Sequence, residues 1–486
     1  MRLGQWIHTG AMLVGLGLLL GGCATSSNTS EQALDQLLAD PALAGASVSL
    51  MVRDVRTGST LYQHNPRTRL IPASSLKLLT TAAAMDVLGP QYRFSTQLLS
   101  DGGRQGERLM GNLYLRGLGD PTIQWADYQA LAANLAGQGI RQVQGDLVFD
   151  DTWFDAERLG LDWAHDDEDK YYGAQISALT VSPNADFDAG TLTVTAKAPA
   201  VVGQPVSITL SPPTDYVQLS NLAVSGMGNS YGLNRQHGTN LLRLRGTLAP
   251  GTQSRQSVSV WEPTQLVANL FARALAEQGI AVQGKRVIDG TSPATARVLA
   301  QHQSAPLQEL IRPLLKLSNN SMAEALLKAM GRQQANAGTA TAGVTAVADF
   351  LTRQGLDPTT LSQVDGSGLS RRNLLSAQNF TDLLLVVSKQ PWFNTWYAAL
   401  PVAGNPKRLV GGSLRYRLQE TSAQNNLHAK TGSMGGVSSL TGYITDAEGR
   451  RLMFSMLTNN YVVEGARIKA LEDRLAIILS RNEGGA

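Results

Sequence analysis

Cysteine is almost absent from this sequence, and its scarcity narrows the possible architectures. Cys23 is the only thiol in a chain of 486 residues, so no disulfide can form within the molecule. A metal site built from several cysteine thiolates is excluded for the same reason. The sequence therefore predicts a fold without internal covalent cross-links.

An excess of charge of one sign is also missing. The chain carries 41 basic and 38 acidic residues, a formal net charge of +3, and the two signs are interspersed. Proteins that bind the nucleic-acid backbone concentrate basic residues on one face, so no nucleic-acid partner is expected. Hydrophobic residues make up 43% of the chain, as in ordinary folded proteins, and the length predicts two to four domains.

Long hydrophobic runs are confined to the N-terminus. The apolar run from Ala11 to Leu20 is too short for a permanent membrane-spanning helix but suits the core of a signal peptide. It ends in the letters LGGC, which resemble a bacterial lipobox, where the peptide is cut before a cysteine that is then acylated. We therefore expect a lipoprotein signal peptide over residues 1–22 and lipidation of Cys23. The alternative is an ordinary secretory signal with a chance cysteine.

The residues after Cys23 bear on where the protein resides. Residues 23–30 are mostly polar, and we expect them to form a tether. Ala24, rather than an aspartate, favours sorting to the outer membrane under the rule for such signals. The sequence thus predicts a periplasmic protein that is anchored to the outer membrane through its lipidated N-terminus.

What the sequence does contain is a serine and a lysine on one helical face. A helix is predicted to begin after Pro72 and to end near Gly89, because proline suits a first turn and Gly-Pro stops a helix. Ser74 and Lys77 then project the same way, since residues three apart are neighbours. A lysine whose pKa is lowered by burial or by a nearby cation can activate the serine for acyl transfer. The pattern S-x-x-K alone is expected about once by chance in such a chain.

A second motif, S-x-N, lies between two predicted helices. Ser318 could shuttle a proton through its hydroxyl, and Asn320 could hold the backbone of a substrate through its amide. The motif is a weak signal by itself, because Ser182 and Asn184 also match it and are interpreted as part of a turn. Its value comes from its position between the other two motifs.

A third motif, K-T-G, lies on a predicted strand and comprises Lys430, Thr431 and Gly432, with Ser433 following. A cation beside two hydroxyl groups can bind a substrate carboxylate, and its charge would also lower the pKa of Lys77. The small Gly432 allows a substrate to lie against the strand edge as an added strand. All three motifs in this order, each on the expected type of element, make a strong signal.

The order S-x-x-K, S-x-N, K-T-G resembles the penicillin-recognising serine enzymes, which comprise penicillin-binding proteins and serine β-lactamases. The first two motifs lie much farther apart than in a simple β-lactamase, and short β-like runs fill the interval. This arrangement resembles the class C low-molecular-mass penicillin-binding proteins, the D-alanyl-D-alanine carboxypeptidase/endopeptidase family. Asn319 stands where that family often has aspartate. Four other stretches also fit the family: residues 117–122, 172–178, 365–371 and 412–415.

The resemblance implies a role for each motif residue. Ser74 would attack the carbonyl between two D-alanines, Lys77 would be its general base, and Ser318 would relay the proton to the leaving amine. The oxyanion hole would be the backbone N–H groups of Ser74 and Ser433. No metal or organic cofactor would be required. The residues that bind the substrate would be Asn320, Lys430, Thr431, Gly432 and Ser433.

The family also recognises the diaminopimelate side chain of the stem peptide, through an acidic residue of the insertion. Asp150 and Asp151, which follow the predicted strand 146–149, are the candidates. The alternative for this pair is a solvated turn or a helix cap. The acidic run of residues 166–169 is interpreted as a solvated loop.

The implied fold is of the α+β class. The resemblance predicts a serine β-lactamase/DD-transpeptidase-like core, an antiparallel sheet flanked by helices, built from residues 31–91 and 298–486. A large β-rich insertion between S-x-x-K and S-x-N occupies residues 92–297. Sequence leaves open whether this insertion is one domain or two nested ones, and we expect two.

The implied activity is that of a serine DD-peptidase of bacterial peptidoglycan. It would cleave terminal D-Ala-D-Ala as a carboxypeptidase and D-Ala–diaminopimelate crosslinks as an endopeptidase, through an acyl-enzyme on Ser74. Its partners would be stem peptides and crosslinks, β-lactam inhibitors, and the membrane. The alternatives are a serine β-lactamase, which the long insertion disfavours, and a catalytically inactive, lipid-anchored scaffold that binds the cell wall.

Overall fold

The computed structural model describes residues 30–481, so the predicted signal peptide, Cys23 and the tether up to residue 29 lie outside the described residues. No helix within 30–481 combines the length and the apolar character needed to cross a membrane. The α-helices are α1 Ser30–Leu38, α2 Lys77–Val87, α3 Trp125–Gly137, α4 Pro263–Glu277, α5 Leu307–Leu317, α6 Asn320–Ala335, α7 Ala340–Arg353, α8 Ala377–Val387, α9 Phe393–Ala399, α10 Arg408–Gly411 and α11 Gly465–Arg481.

The longest strands lie near the two ends of the chain. In chain order, the strands are β1 Ser47–Asp54, β2 Thr60–His64, β3 Ser95–Ser100, β4 Arg104–Gln105, β5 Arg108–Leu109, β6 Leu113–Gly117, β7 Gln142–Val143, β8 Leu147–Asp150, β9 Thr191–Lys197, β10 Ser207–Ser211, β11 Gln218–Asn221, β12 Val224–Ser225, β13 Gly232–Arg235, β14 Leu241–Arg245, β15 Thr247–Leu248, β16 Gln253–Ser259, β17 Ala281–Val282, β18 Arg286–Val287, β19 Arg297–Gln303, β20 His428–Met434, β21 Val437–Thr445 and β22 Arg451–Asn459.

The core sheet combines strands from both ends of the chain. Its order is β2-β1-β22-β21-β20, and every neighbouring pair is antiparallel. Strand β1 lies between β2 and β22, with Leu50 opposite Met456. The N-terminal hairpin thus completes a sheet whose other three strands come from the C-terminal region. The predicted α+β core with an antiparallel sheet is confirmed.

Helices cover both faces of this sheet because its central strands are apolar on both sides. In β22, Leu452, Phe454 and Met456 pack into the cluster that contains α1 and α11. Met453 and Leu457 point the other way, into the cluster that contains α2 and α5 to α9. Successive side chains of a strand alternate between faces, so the continuous apolar run of β22 supplies two cores.

The insert runs from β3 to β19 and is rich in short strands. Its sheets have the orders β18-β8-β6-β3-β19, β17-β7-β5-β4, β10-β9-β16, β11-β14-β13 and β12-β15. Strands β9 to β16 are nested within the others in sequence. However, Leu98 and Phe271 of the outer group share one hydrophobic cluster with Leu192 and Leu242 of the nested group. The two groups of strands therefore pack around a common core.

One predicted boundary differs from the structure. Strand β19, Arg297–Gln303, pairs with β3 and completes an insert sheet. The predicted boundary at residue 297 cuts through this strand, because the sequence does not reveal its distant partner. The core resumes at α5, which begins at Leu307.

Candidate active site

Ser74 lies in a tight turn that leads directly into α2. The 3₁₀ turn covers Ala73–Leu76 and α2 starts at Lys77, so the predicted helix is present but begins with a tighter turn. Ala73 has a φ of +47°, a left-handed conformation that costs an L-residue about 1–2 kcal/mol. Gly368 packs against it, because a Cβ on that glycine would lie 2.0 Å from the Ala73 carbonyl oxygen. The loop that contains Gly368 therefore maintains the strained backbone conformation of Ala73, next to Ser74.

Lys77 is the buried partner of Ser74. Its Nζ lies 2.9 Å from the Ser74 Oγ and donates to the Ser367 carbonyl oxygen at 2.6 Å. The side chain is 0% exposed, and burial lowers the pKa of Lys77 to about 7, although the carboxylates of Asp365 and Glu324 act to raise that pKa. Burial, rather than the Lys430 charge invoked from sequence, is the main cause. A neutral amine is therefore available near pH 7 to take the serine proton.

The second serine–lysine pair stands beside the first. Ser318 ends α5 in a left-handed conformation, with φ of +61°, and its Oγ accepts a hydrogen bond of 2.9 Å from the Lys430 Nζ. The same Nζ donates to the Thr431 carbonyl oxygen at 2.6 Å. Burial and the nearby Lys77 lower the pKa of Lys430 well below its usual value. Two ammonium groups in this buried site disfavour each other, so each lysine favours the neutral form of its neighbour.

Gly432 brings strand β20 against the turn that carries Ser74. A Cβ at Gly432 would lie 2.3 Å from the Ser439 Oγ, 2.5 Å from the Pro72 carbonyl oxygen and 3.0 Å from the Ser74 nitrogen. The Ser439 Oγ also donates to that Pro72 oxygen at 2.7 Å, which ties the sheet to the turn. Only a glycine fits this approach. The arrangement agrees with the oxyanion hole that the resemblance implies, formed by the N–H groups of Ser74 and Ser433.

A cavity of about 410 Å³ opens over these motifs, and its wall includes Ser74, Ser318, Asn320 and Ser433. The structure therefore brings S-x-x-K, S-x-N and K-T-G together. A larger cavity of about 570 Å³, beside Arg67, lies away from all three motifs, so size alone does not identify the site. Chemistry, rather than volume, marks the smaller cavity as the candidate.

The remaining motif residues are held by specific contacts. Asn320 begins α6, and its Nδ2 donates to the Tyr172 carbonyl oxygen at 2.8 Å. The Thr431 Oγ1 lies 2.7 Å from the Ser413 Oγ. Asn319 caps α6 by accepting from the Met322 nitrogen at 2.8 Å. The variable middle position of S-x-N thus fixes the helix that presents Asn320.

Asp150 and Asp151 do not line this cavity. Asp150 is buried at the end of β8 and accepts hydrogen bonds from the Thr152 and Ser292 nitrogens. Asp151 is also buried, and it pairs with Arg158 at 2.5 Å. Both carboxylates are engaged inside the insert, so the structure does not bring these two sequence candidates to the site.

The acidic groups at the cavity are Asp162, Asp166 and Asp167 instead. The Tyr172 Oη donates to the Asp167 Oδ1 at 2.7 Å. Sequence reasoning treated the run 166–169 as a solvated loop and missed this placement. The available signal was that the run is followed at once by residues 172–178, one of the stretches that fit the family.

A buried ion pair anchors this acidic loop to the insert. Arg235 on β13 donates to the Glu168 Oε1 at 2.8 Å, and the Gly238 nitrogen donates to the same oxygen at 3.1 Å. The side chains of Arg235 and Glu168 are only 1% and 5% exposed. The insert therefore fixes the backbone that carries Asp167 at the cavity.

Glu324 was also missed from sequence. It lies on α6, one turn after Asn320, and accepts hydrogen bonds from the Gly366 and Ser367 nitrogens at 2.9 and 2.8 Å. Because the Ser367 carbonyl oxygen binds Lys77, Glu324 positions the base through this loop. Burial and the neighbouring Asp365 raise the pKa of Glu324 to about 7.

Asp365 fixes the other half of that loop. Its carboxylate accepts from the Gly368 and Ser370 nitrogens at 2.8 and 2.7 Å, and from Trp163 of the insert at 3.1 Å.

Across residues 30–481, no three His, Cys, Asp or Glu side chains come together in a way that could hold a metal ion.

Comparison with known proteins gives three informative likenesses. The model of the D-Ala-D-Ala carboxypeptidase 3 (S13) family matches residues 30–482. The D-alanyl-D-alanine carboxypeptidase of Actinomadura sp. (strain R39) is 42% identical over 463 residues, which cover 93% of this chain and 84% of that protein. The crystal structure of penicillin binding protein 4 from Haemophilus influenzae has a TM-score of 0.79 and 26% identity, with 91% of this chain and 97% of that chain covered.

A second crystal structure of the Haemophilus influenzae protein, in complex with a β-lactam, has a TM-score of 0.74 and 26% identity, and it covers 92% of this chain and 97% of that one. These likenesses span the core and the insert together, which confirms the resemblance that the three motifs suggested. The chain is a serine hydrolase, and it belongs to the D-Ala-D-Ala carboxypeptidase 3 (S13) family.

Proposed function

We propose that this serine hydrolase removes the terminal D-alanine from D-Ala-D-Ala stem peptides of peptidoglycan and also cuts D-Ala–diaminopimelate crosslinks. The observation that carries the proposal is the contact of 2.9 Å between the Ser74 Oγ and the Nζ of Lys77, a buried lysine whose pKa is about 7. The carboxypeptidase activity of the Actinomadura relative supports it.

Acylation begins when the neutral Lys77 takes the Ser74 proton. The Oγ attacks the carbonyl carbon of the penultimate D-alanine, and the developing oxyanion receives hydrogen bonds from the N–H groups of Ser74 and Ser433. When the tetrahedral intermediate collapses, the C–N bond breaks. The leaving amine takes a proton from the Ser318 hydroxyl, which the Lys430 ammonium group replenishes through its hydrogen bond.

Lys430 and Thr431 bind the carboxylate of the leaving D-alanine. An anion beside Lys430 raises the pKa of that lysine, because an opposite charge favours the ammonium form. Substrate binding therefore favours uptake of a proton from solvent by Lys430, and this is the proton that the leaving amine later needs.

Lys77 then passes the proton that it took from Ser74 to Lys430, which is neutral after protonation of the amine. Water attacks the ester with the neutral Lys77 as the base, the Ser74 oxygen leaves and takes this proton from Lys77, and the shortened peptide departs with a free carboxylate. A β-lactam, which mimics D-Ala-D-Ala, forms the same ester on Ser74.

The acidic side of the cavity selects the donor peptide. Asp162, Asp166 and Asp167 face the same space, and this concentration of carboxylates favours a side chain that ends in an ammonium group. The free amine of diaminopimelate fits this chemistry. Asp167 replaces Asp150 and Asp151 as the preferred candidate, because its carboxylate lies at the cavity wall.

We further propose that the protein is a lipoprotein of the periplasm, anchored to the outer membrane. The support is the sequence LGGC ending at Cys23, followed by Ala24. Labelling of cells with a palmitate analogue should mark the wild-type protein and not Cys23→Ser. Labelling of both proteins, or of neither, contradicts the proposal.

The central experiment compares the wild type with Ser74→Ala, using a fluorescent penicillin and purified muropeptides. Wild type should be labelled and should release D-alanine from pentapeptides and monomers from crosslinked dimers, whereas Ser74→Ala should do neither. Ser388→Ala, at a half-buried serine on the end of α8, is the matched control and should behave as wild type.

The other outcomes separate the alternatives. Rapid loss of the penicillin label without peptide turnover would indicate a β-lactamase. Absence of labelling and of turnover in the wild type would indicate an inactive scaffold. Turnover that survives in Ser74→Ala would contradict the acyl-enzyme mechanism.

A further inference from the structure

A second cavity, of about 530 Å³, adjoins the active-site cavity. The two share Tyr171 and Leu317 as wall residues, so they are separated by little more than these side chains. Its far wall is formed by Arg255 on β16 and by Arg408 and Arg415 near α10. None of the proposed roles of the three motifs uses this space.

The second cavity lies on the leaving-group side of the reaction. Ser413 lines it, and the Ser413 Oγ is 2.7 Å from the Thr431 Oγ1, where the leaving carboxylate is proposed to bind. The acidic Asp167 and the rest of the donor-side wall belong to the other cavity. A leaving group that extends past Thr431 therefore enters the second cavity.

The wall of the second cavity packs directly against the end of α5 and the S-x-N loop. Gly412 has φ of +55°, and a Cβ there would lie 2.5 Å from the Lys316 carbonyl oxygen, so only glycine lets this turn approach the end of α5. The Asn319 Nδ2 donates to the Asp186 carbonyl oxygen at 2.9 Å and to the Asp188 Oδ1 at 3.1 Å. The S-x-N loop is thus tied to the second cavity as well as to the first.

The charges of the cavity favour an anion. Arg408 is occupied by Asp186, through two hydrogen bonds of 2.5 and 2.6 Å. Within residues 30–481, no carboxylate lies within 4 Å of the guanidinium groups of Arg255 or Arg415. Burial and the nearby Asp186 raise the pKa of Asp188 to about 7, which reduces the negative charge of the wall. The Arg415 Nη1 donates to the Gly412 carbonyl oxygen at 3.4 Å and its guanidinium lies over the Tyr416 ring, but neither Arg255 nor Arg415 is paired with a carboxylate of the described residues. Both can therefore bind substrate carboxylates, which arginine does with paired hydrogen bonds.

A terminal D-alanine does not need this cavity, because only its methyl group extends beyond the carboxylate. The leaving group of a crosslink is different: it carries a long diaminopimelate side chain, a peptide and further carboxylates. We infer that the second cavity binds this acceptor peptide, with Arg255 and Arg415 holding its carboxylates. The inference rests on the proposed crosslink cleavage and names the site that makes it possible.

The test measures two substrates with one set of variants. Arg255→Gln, Arg415→Gln and the double variant are assayed on a crosslinked muropeptide dimer and on a monomeric pentapeptide. The double variant should lose about tenfold or more in kcat/KM on the dimer, mainly through a higher KM, because two charge-assisted contacts are removed. On the pentapeptide it should remain within about twofold of wild type, since D-alanine does not reach these residues.

Two controls distinguish binding from structural damage. Arg474→Gln, at an exposed arginine on α11, should leave both substrates unchanged. A dimer whose acceptor carboxylates are converted to amides should be a poorer substrate for wild type, and the double variant should lose little further on it. Arg415→Lys should restore part of the loss on the unmodified dimer because it keeps the charge.

The outcomes separate this inference from the proposed function. If wild type cleaves the dimer and the double variant cleaves it equally well, the acceptor site is wrong and the proposed activity stands. Equal losses on dimer and pentapeptide would show a structural effect and would also overturn the inference. If wild type hydrolyses the pentapeptide but not the dimer, crosslink cleavage itself fails, and the acceptor site fails with it.

Discussion

In the core, the two lysines of the active site project from regular elements, whereas the insert reaches the cavity through an irregular loop. Lys77 and Lys430 lie on α2 and β20 and are fully buried. Asp167 instead belongs to a loop held by the Glu168–Arg235 ion pair. The two regions therefore have different roles: buried lysines on rigid elements perform the chemistry, and acidic side chains on an anchored loop at the cavity wall choose the substrate. Each prediction below changes one side of this comparison.

The largest effect is expected from Lys77→Ala. Without Lys77 no base removes the proton from the Ser74 hydroxyl. The rates of acylation by penicillin and of peptide hydrolysis should therefore both fall by about a thousandfold. Stopped-flow acylation and D-alanine release measure the two rates. Lys389→Ala, at an exposed lysine, is the control. If Lys77→Ala impaired peptide hydrolysis but not acylation by penicillin, the base would have to lie elsewhere.

Glu324→Gln should reduce kcat/KM by about tenfold while leaving the fold intact, because the amide can accept only one of the two loop hydrogen bonds. The pH profile gives a sharper readout. Activity needs neutral Lys77, so kcat/KM should rise through about pH 7 in the wild type. Because the Glu324 carboxylate raises the pKa of Lys77, its removal should move this rise to lower pH. An unshifted profile would contradict the positioning role.

Arg235→Gln tests the insert side of the comparison. It removes the arginine partner of the buried Glu168, which keeps its contacts with the Gly238 nitrogen and His237. Breaking a buried ion pair typically costs about 3–5 kcal/mol and should loosen the acidic loop. Preference for a donor side chain with a free amine over its acetylated form should fall by about tenfold, as expected when one charged contact is lost. Acylation by penicillin should change little.

The control for this prediction is Arg245→Gln, an exposed arginine on the neighbouring strand β14. Melting temperatures of all variants show whether the loss is local. An equal loss of penicillin acylation in Arg235→Gln would mean that the insert supports the chemistry itself, and the division between the two regions would not hold.

The smallest effect is expected from Ser413→Ala. This change removes one hydroxyl partner of Thr431, a neutral hydrogen bond worth about 1 kcal/mol. KM for D-Ala-D-Ala peptides should therefore rise by about fivefold with kcat nearly constant. A change in kcat without a change in KM would place Ser413 in the chemical step rather than in carboxylate binding.

Sequence was most informative where function depends on short motifs. Ser74, Ser318 and Lys430 were predicted by their order and local elements. The structure places Ser74 and Ser318 at one cavity, with Lys430 hydrogen-bonded to Ser318 behind its wall. The helix predicted after Pro72 is also present, as α2 preceded by a 3₁₀ turn, because its start and stop signals are local information. Such features need no knowledge of distant contacts.

The sequence was least informative where a tertiary contact determines the position of a residue. Asp167 and Asp150 are equally acidic, but only the loop anchored by Arg235, far along the chain, places one of them at the cavity. Glu324 shows no local pattern, since its partners are backbone N–H groups of a distant loop. The predicted domain boundary at residue 297 fell within strand β19 for the same reason: the pairing of β19 with β3 is a long-range contact.

The core sheet combines strands from both ends of the chain, and this arrangement determines the order in which the regions can fold during synthesis. Every strand of the insert finds its partner between residues 95 and 303, so its sheets can be complete while synthesis of the chain continues. Strand β1 must wait for β22, its neighbour from the far end of the chain, and non-local pairing of this kind is slow. Until then β1 has an open edge, where unwanted association begins. Ser74 and Lys430 come together only after the C-terminal strands have joined β1 in the core sheet. A nascent chain therefore has no activity before these strands have been synthesised and paired.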